Sequence, residues 1–166
     1  MKRTGYGAES IVIDDFKLQS GGTIRTVLWQ GIYCLSPYMA PPAPTATATS
    51  FDIAFYAEHG GFIDYPALQN ATYTIADVNQ QLERNTTSRC ADGTPGAPTG
   101  LYNYSVRLNA PFVAASGTNY WISIKAALPG NGASWGWRVG SSTNKYAIWD
   151  GGGGVTVPHD FAFALR

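Results

Sequence analysis

Apolar and polar residues alternate along much of this chain, and the alternation predicts β-strands. In the segment Phe51-Asp52-Ile53-Ala54-Phe55-Tyr56 the residues at every second position are large and apolar, so one face of this strand is expected to be buried. Glycine turns such as His59-Gly60-Gly61 separate the alternating runs. The candidate strands are residues 11–18, 23–34, 51–56, 72–78, 101–108, 120–125, 134–139, 145–149 and 160–165.

About nine short strands with almost no helix predict an all-β fold. We expect a two-sheet antiparallel β-sandwich of the jelly-roll-like kind, in one domain over residues 1–166. Residues 36–50, 79–100 and 151–154 are predicted loops, because the first is rich in proline, the second is polar and the third is glycine. Within the second loop, residues 80–84 fit a single helical turn.

The composition favours a protein that works outside the cell or on its surface. Charged residues make up 13% of the chain, about half the usual share of ~25%. The 11 basic and 11 acidic residues cancel, so no basic surface suggests a nucleic acid partner and copies of the chain do not repel one another. No apolar stretch is long enough to predict a transmembrane segment.

A series of short motifs follows in a characteristic order along most of the chain. They are residues 14–16, 21–24, 27–33, 51–56, 60–61, 104, 108, 111–112, 117–124, 135–137 and 160–165. Together they resemble a β-sandwich module of bacterial secreted and cell-surface proteins, of the kind often found in proteins with sorting tails. The resemblance implies an exported domain and carries no general catalytic activity.

Catalytic motifs are lacking in the sequence. A serine nucleophile would need His59 or His159 and a Gly-x-Ser-x-Gly turn, and that turn does not occur. A glycosidase would need two carboxyl groups across a cleft, and the acidic residues show no such pairing in the strand pattern. We therefore expect that the protein is not an enzyme.

Aspartates near both ends of the chain are candidate ligands of a structural Ca²⁺. Asp14 and Asp15 lie on the first strand, and Asp160 opens the last. In many jelly-roll modules these two strands run side by side, and Asp15 and Asp160 would supply carboxylate oxygens, which calcium prefers. The alternative is that the aspartates accept backbone N–H bonds in turns.

Aromatic residues near the carboxyl end have two interpretations. Trp135 and Trp137 are two residues apart and share one face of a strand, with Tyr146 and Trp149 close by in sequence. They would form a flat platform on which a carbohydrate stacks, or they would fill the core of the sandwich.

The two cysteines and three Asn-x-Ser/Thr patterns leave further alternatives open. Cys34 and Cys90 would form a disulfide in an oxidising compartment or remain two separate thiols. The patterns at Asn70, Asn85 and Asn103 fit N-glycosylation, and matches of this length are frequent by chance.

These observations predict a non-catalytic extracellular structural or adhesive module, a building block of a cell surface or appendage. Its expected partners are copies of itself, as a homo-oligomer or filament, or surface glycans. The alternative is a carbohydrate-binding module that uses surface tryptophans. An open strand edge between identical chains would favour the first function, and exposed tryptophans would favour the second.

Overall fold

The architecture was determined as a computed structural model that describes residues 11–35, 48–86, 99–129, 133–140, 146–150, 153–157 and 160–166. These residues form eleven strands, two more than the nine candidates. The strands are β1 (Ile11–Lys17), β2 (Gly22–Leu35), β3 (Ser50–His59), β4 (Phe62–Thr74), β5 (Asn79–Thr86), β6 (Thr99–Ala114), β7 (Asn119–Ala127), β8 (Ala133–Trp137), β9 (Tyr146–Asp150), β10 (Gly153–Val157) and β11 (Phe163–Leu165).

Two antiparallel sheets make up the fold, which confirms the predicted all-β, two-sheet, sandwich-like class. One sheet has six strands in the order β10-β9-β1-β7-β3-β4, and the other contains β11-β2-β6-β5. In this second sheet β8 also pairs with β2, on the same edge as β11. Because β11 pairs with residues 27–29 and β8 with residues 31–35, the two short strands meet near Gln30.

Aromatic side chains from both sheets pack against one another in the core. Phe51 of the six-stranded sheet lies 5.1 Å from Tyr104, 5.2 Å from Trp29 and 5.5 Å from Trp135, measured between ring centroids. Trp29 and Tyr104 stack on each other, and the indole N–H of Trp135 donates to the Tyr104 hydroxyl at 3.2 Å. Phe51 is thus enclosed by three rings of the opposite sheet, and such ring pairs stabilise the packing beyond the burial of their area.

A second aromatic group lies further along β3. Phe55 stacks on Phe112 with 4.4 Å between centroids, and Phe16 contacts both rings edge-on. Phe55 and Phe16 belong to the six-stranded sheet and Phe112 to the other. The alternation predicted for residues 51–56 is therefore confirmed, since Phe51, Ile53 and Phe55 all face the opposite sheet.

The structure corrects several predicted loops and one predicted strand. Residues 79–86 form β5, where a helical turn over 80–84 was expected, and residues 153–154 belong to β10. The strand predicted over 72–78 ends at Thr74, because Asp77 turns the chain by accepting the Thr74 N–H and hydroxyl at 3.1 and 2.7 Å. Residues 36–47 and 87–98 of the other predicted loops lie outside the described part of the chain.

Gly31 marks the closest approach between a backbone and a core side chain. A Cβ atom on this residue would lie 2.5 Å from the ring of Trp135, well inside ordinary contact distance. Trp135 itself is 1% exposed and surrounded by other rings, so it has little room to move. Only glycine fits here.

We predict that Gly31→Ala lowers the free energy of unfolding by about 1–3 kcal/mol, because overpacking forces a core side chain out of its rotamer. Urea denaturation followed by tryptophan fluorescence measures the change. Val113→Ala, at a position that is 71% exposed on β6, is the control and should change stability little. Equal stability of Gly31→Ala and the control would contradict the prediction.

Candidate metal centre and surface cleft

A buried carboxylate connects the two sheets. Asp14 lies on β1 between Val12 and Phe16, and all three side chains face the interior because they alternate along the strand. Asp14 is fully buried and accepts the backbone N–H of Phe161 at 2.7 Å and that of Asp15 at 3.0 Å. Since β1 is an interior strand of the six-stranded sheet and Phe161 leads into β11 of the other sheet, this carboxylate connects the two sheets.

Three carboxylates meet at this point. Oxygen atoms of Asp14, Asp15 and Asp160 all lie within 4.8 Å of one another. The structure thus brings together both predicted calcium ligands and adds Asp14. The expectation that the first and last strands run side by side is wrong, because β1 pairs with β7 and β9 while β11 pairs with β2. The aspartates meet across the sandwich instead of along one sheet.

Burial makes ionisation of these groups unfavourable. The pKa of Asp14 is raised to about 8, chiefly by desolvation; the charges of Asp160 and Asp15 add to the rise, and hydrogen bonds from two backbone N–H groups oppose it. Burial also raises the pKa of Asp15, with added repulsion from Asp160 and Glu58, and burial raises the pKa of Asp160. The cluster therefore favours either protonation or a neighbouring positive charge.

The chemistry of the cluster fits a hard cation. Calcium takes six to eight oxygen ligands, of which carboxylates are the most common. Asp15 Oδ1 is buried and has no hydrogen-bond partner, so a cation would satisfy an atom that the protein leaves unsatisfied. Asp15 and Asp160 also line a cavity of about 550 Å³, from which water could complete the coordination. Asp14, Asp15 and Asp160 would hold the ion, and its role would be structural.

A separate cleft lies on the outer face of the six-stranded sheet. It has a volume of about 360 Å³ and opens between β4, β3 and β7. The nine residues that line it are Asp52, Ile53, Ala54, Tyr56, Asn70, Ala71, Thr72, Ser123 and Lys125. Sequence patterns did not indicate this site, because its residues come from three strands and no two of its polar residues are adjacent in sequence.

For Trp135 and Trp137 the predicted platform is wrong, and the alternative of core packing is confirmed. Trp135 and Trp137 are each 1% exposed, so neither ring can stack on a ligand. Trp137 stacks on Phe161 at 4.9 Å and donates its indole N–H to the carbonyl of Ala162 at 3.2 Å. Tyr146 and Trp149 lie on β9, in the six-stranded sheet, whereas β8 belongs to the other sheet. The four residues do not share a strand face.

Cys34 and His59, two further candidate residues, lie within the described part of the chain. Cys34 is on β2, opposite Ser134 of β8; Cys90 is outside the described residues, and their disulfide stays a prediction. His59 is exposed at the end of β3, paired with Phe62. His159 is outside the described residues.

The described residues define an antiparallel β-sandwich with an acidic cluster between its sheets and a polar cleft on one face. The chain belongs to the family described as Domain of unknown function (DUF7901), which matches residues 2–152. No curated protein and no solved structure matches the chain. All the cleft residues fall within the matched region, and Asp160 lies beyond it. The described part of the chain contains no helix with the length and hydropathy needed to cross a membrane.

We predict that Ca²⁺ raises the thermal unfolding midpoint, because an ion that binds only the folded chain stabilises it, by about 2.7 kcal/mol at a hundredfold excess over its Kd. Differential scanning calorimetry with calcium chloride or with a chelator measures the shift. Combined Asp15→Asn and Asp160→Asn substitutions should abolish it, and Asp64→Asn, at an exposed carboxylate of β4, should preserve it. Equal midpoints of the wild type in calcium and in chelator would contradict the assignment.

We also predict that the chelated protein loses stability as the pH rises. The pKa of Asp14 is 3.8 as a free group and about 8 in the fold. The protonated Asp14 therefore makes its full contribution to the free energy of unfolding below pH ~4, and this contribution is lost as the pH rises towards ~8. One proton changes the free energy of unfolding by at most about 1.4 kcal/mol per pH unit. The raised pKa values of Asp15 and Asp160 act in the same direction.

Urea titrations at several pH values compare the wild type with Asp14→Asn. The asparagine keeps a carbonyl oxygen for the Phe161 N–H and cannot ionise, so its stability should fall less across this window. If the difference between the two proteins is constant from pH 4 to pH 8, Asp14 does not titrate as described.

Proposed function

We propose that this domain is a non-catalytic structural or adhesive module that works outside the cell, as a building block of a surface or appendage that associates with copies of itself. The observation that carries the proposal is the exposed apolar edge strand β4. The low charge content and the resemblance to bacterial secreted and cell-surface modules support the extracellular location.

Strand β4 ends the six-stranded sheet and is 13 residues long. Five large apolar side chains are exposed among the described residues, and three of them are on β4: Phe62 at 77%, Leu68 at 57% and Tyr65 at 48%. Covering an exposed apolar side chain with a partner stabilises the complex by roughly 25 cal/mol per Å² of apolar surface removed from water.

The same strand has little of the protection that isolated proteins give to a sheet edge. Edge strands commonly carry lysines, prolines or β-bulges, which oppose pairing with another chain, and in β4 such features are confined to residues 64–68. Within β4, Asp64 is the charged residue and Pro66 the proline, and lysine does not occur. Pro66 falls within residues 65–68, where the register between β3 and β4 shifts, so residues 69–74 form an uninterrupted edge segment.

A second copy of the chain is the partner that this edge fits best. Pairing of β4 with β4 of another copy would extend the sheet through backbone hydrogen bonds and bury both sets of apolar side chains. The chain has no net charge, so little long-range repulsion opposes such contact. Repeated contacts through a second surface would build a filament, and this one alone would build a dimer.

We predict that Phe62→Lys with Leu68→Lys reduces self-association by at least about tenfold in Kd, because two charges on an edge oppose burial and pairing. Sedimentation velocity over a concentration series measures the association, and electron microscopy shows whether filaments form. The control is Val113→Lys, a charge placed on an exposed apolar residue of the other sheet, which should leave association unchanged.

Two results would overturn the proposal. One is that the wild type remains monomeric at every concentration. The other is that the double variant and the Val113→Lys control associate equally. Circular dichroism of each variant shows that the fold is kept, which is expected because all three positions are exposed.

A further inference from the structure

We propose that the cleft on the outer face of the six-stranded sheet binds a neutral saccharide. The proposal deepens the adhesive half of the proposed function, on which it rests, by naming the class of ligand. It is independent of the tryptophan platform, since the cleft contains neither Trp135 nor Trp137. It is also distinct from the exposed apolar residues Phe62 and Leu68, which do not line it.

The shape of the cleft follows from small residues at its centre. Ala54 of β3 lies between Asn70 of β4 and Ser123 of β7 in one row across the sheet. Ala54 and Ser123 are 7% and 5% exposed and have short side chains, so the row forms a depression. Neighbouring rows have longer side chains, with Asp52 next to Lys125 on one side and Tyr56 on the other. The volume of about 360 Å³ is at the lower end of ligand sites, which suits a short oligosaccharide.

The rim offers both donors and acceptors and no net charge. Asp52 and Lys125 are cross-strand neighbours of opposite charge, so an anionic ligand would meet the carboxylate and a cationic ligand would meet the ammonium group. Asn70 and Ser123 each carry groups that donate and accept hydrogen bonds, and the Thr72 hydroxyl, which donates to Asp52, can still accept one. Sugar hydroxyls also do both, and a neutral sugar matches this rim better than a phosphate or a uronate.

A tyrosine contributes to the wall of the cleft, with little of its ring exposed: Tyr56 is 7% exposed. Its hydroxyl lies 3.4 Å from the Ser123 hydroxyl at the floor. Tyr65 packs edge-on against Tyr56 with 5.3 Å between centroids and is 48% exposed. Tyr65 does not line the cleft, and the apolar lining of the cleft is Ile53, Ala54 and Ala71 beside Tyr56; the C–H groups of a sugar ring can pack against such apolar surface. The cleft therefore combines the polar and apolar contacts that a saccharide needs.

Isothermal titration calorimetry on the full chain tests the proposal. The probes are neutral gluco-, manno-, galacto- and xylo-oligosaccharides, with an oligogalacturonate as the acidic comparison. The protein is produced in a host that does not N-glycosylate, because Asn70 begins an Asn-Ala-Thr pattern. We expect saturable binding of at least one neutral oligosaccharide and weaker binding of the acidic one.

Variants assign the binding to the cleft. Asn70→Trp fills the depression and should weaken binding by at least about tenfold. Asn70→Ala removes one pair of hydrogen bonds and should weaken it by about two- to tenfold. Thr23→Ala, at an exposed position on β2 of the other sheet, is the control and should bind like the wild type.

The proposal is overturned if no neutral probe binds the wild type, if both Asn70 variants bind as tightly as the wild type, or if the acidic oligomer binds best. Sedimentation velocity on the same samples keeps the two proposals apart. If the protein associates with itself but binds no saccharide, only the proposed saccharide site is rejected. If it binds a saccharide but remains monomeric, only the proposed structural role is rejected.

Discussion

Phe51 and the three rings around it hold the two sheets of this domain face to face. One side chain of the six-stranded sheet enters a pocket formed by Trp29, Tyr104 and Trp135 of the other. Rings of this size interdigitate in few ways, because protein interiors are close-packed. Trp135 lies against the backbone at residue 31, which explains why this residue is glycine. The indole N–H of Trp135 needs an acceptor in the core, and the Tyr104 hydroxyl supplies it.

This packing also decides what the surface can do. Trp135, Trp137 and Phe161 are buried in the core, so the proposed surface functions depend on smaller polar side chains and on the edges of the sheets. On the outer face of the six-stranded sheet, Ala54 and Ser123 leave a depression that longer residues would have filled. At the end of that sheet, β4 presents apolar side chains where a further strand would otherwise lie.

The acidic cluster shows how one buried group serves structure at an electrostatic cost. The Asp14 carboxylate satisfies the backbone N–H of Phe161 and so positions the chain just before β11. Its burial next to Asp15 and Asp160 raises the pKa values of all three groups. A cation or a proton relieves that cost, and both act on the same oxygen atoms. We therefore expect the stability of the fold to depend on pH and on a bound cation.

The sequence by itself determined the fold class and most of the strands with buried faces. Period-two alternation located β1, β2, β3, β6 and β7, because one face of each strand packs on the core and every second residue is therefore apolar. It missed β5, whose side chains are largely exposed, because that strand is held by backbone pairing with β6. It also missed residues 62–71 of β4 and all of β10.

Among the functional residues, the sequence indicated Asp15 and Asp160 from their place at the two ends of the chain. Only the tertiary structure decided that they meet across the sandwich, that Asp14 joins them, and that Trp135 and Trp137 point inward. Alternation shows that two residues share a face, but the opposite sheet determines whether that face is buried. The cleft could not be predicted from the sequence, because the register of β4, β3 and β7 brings its residues together. Register is a property of the folded chain.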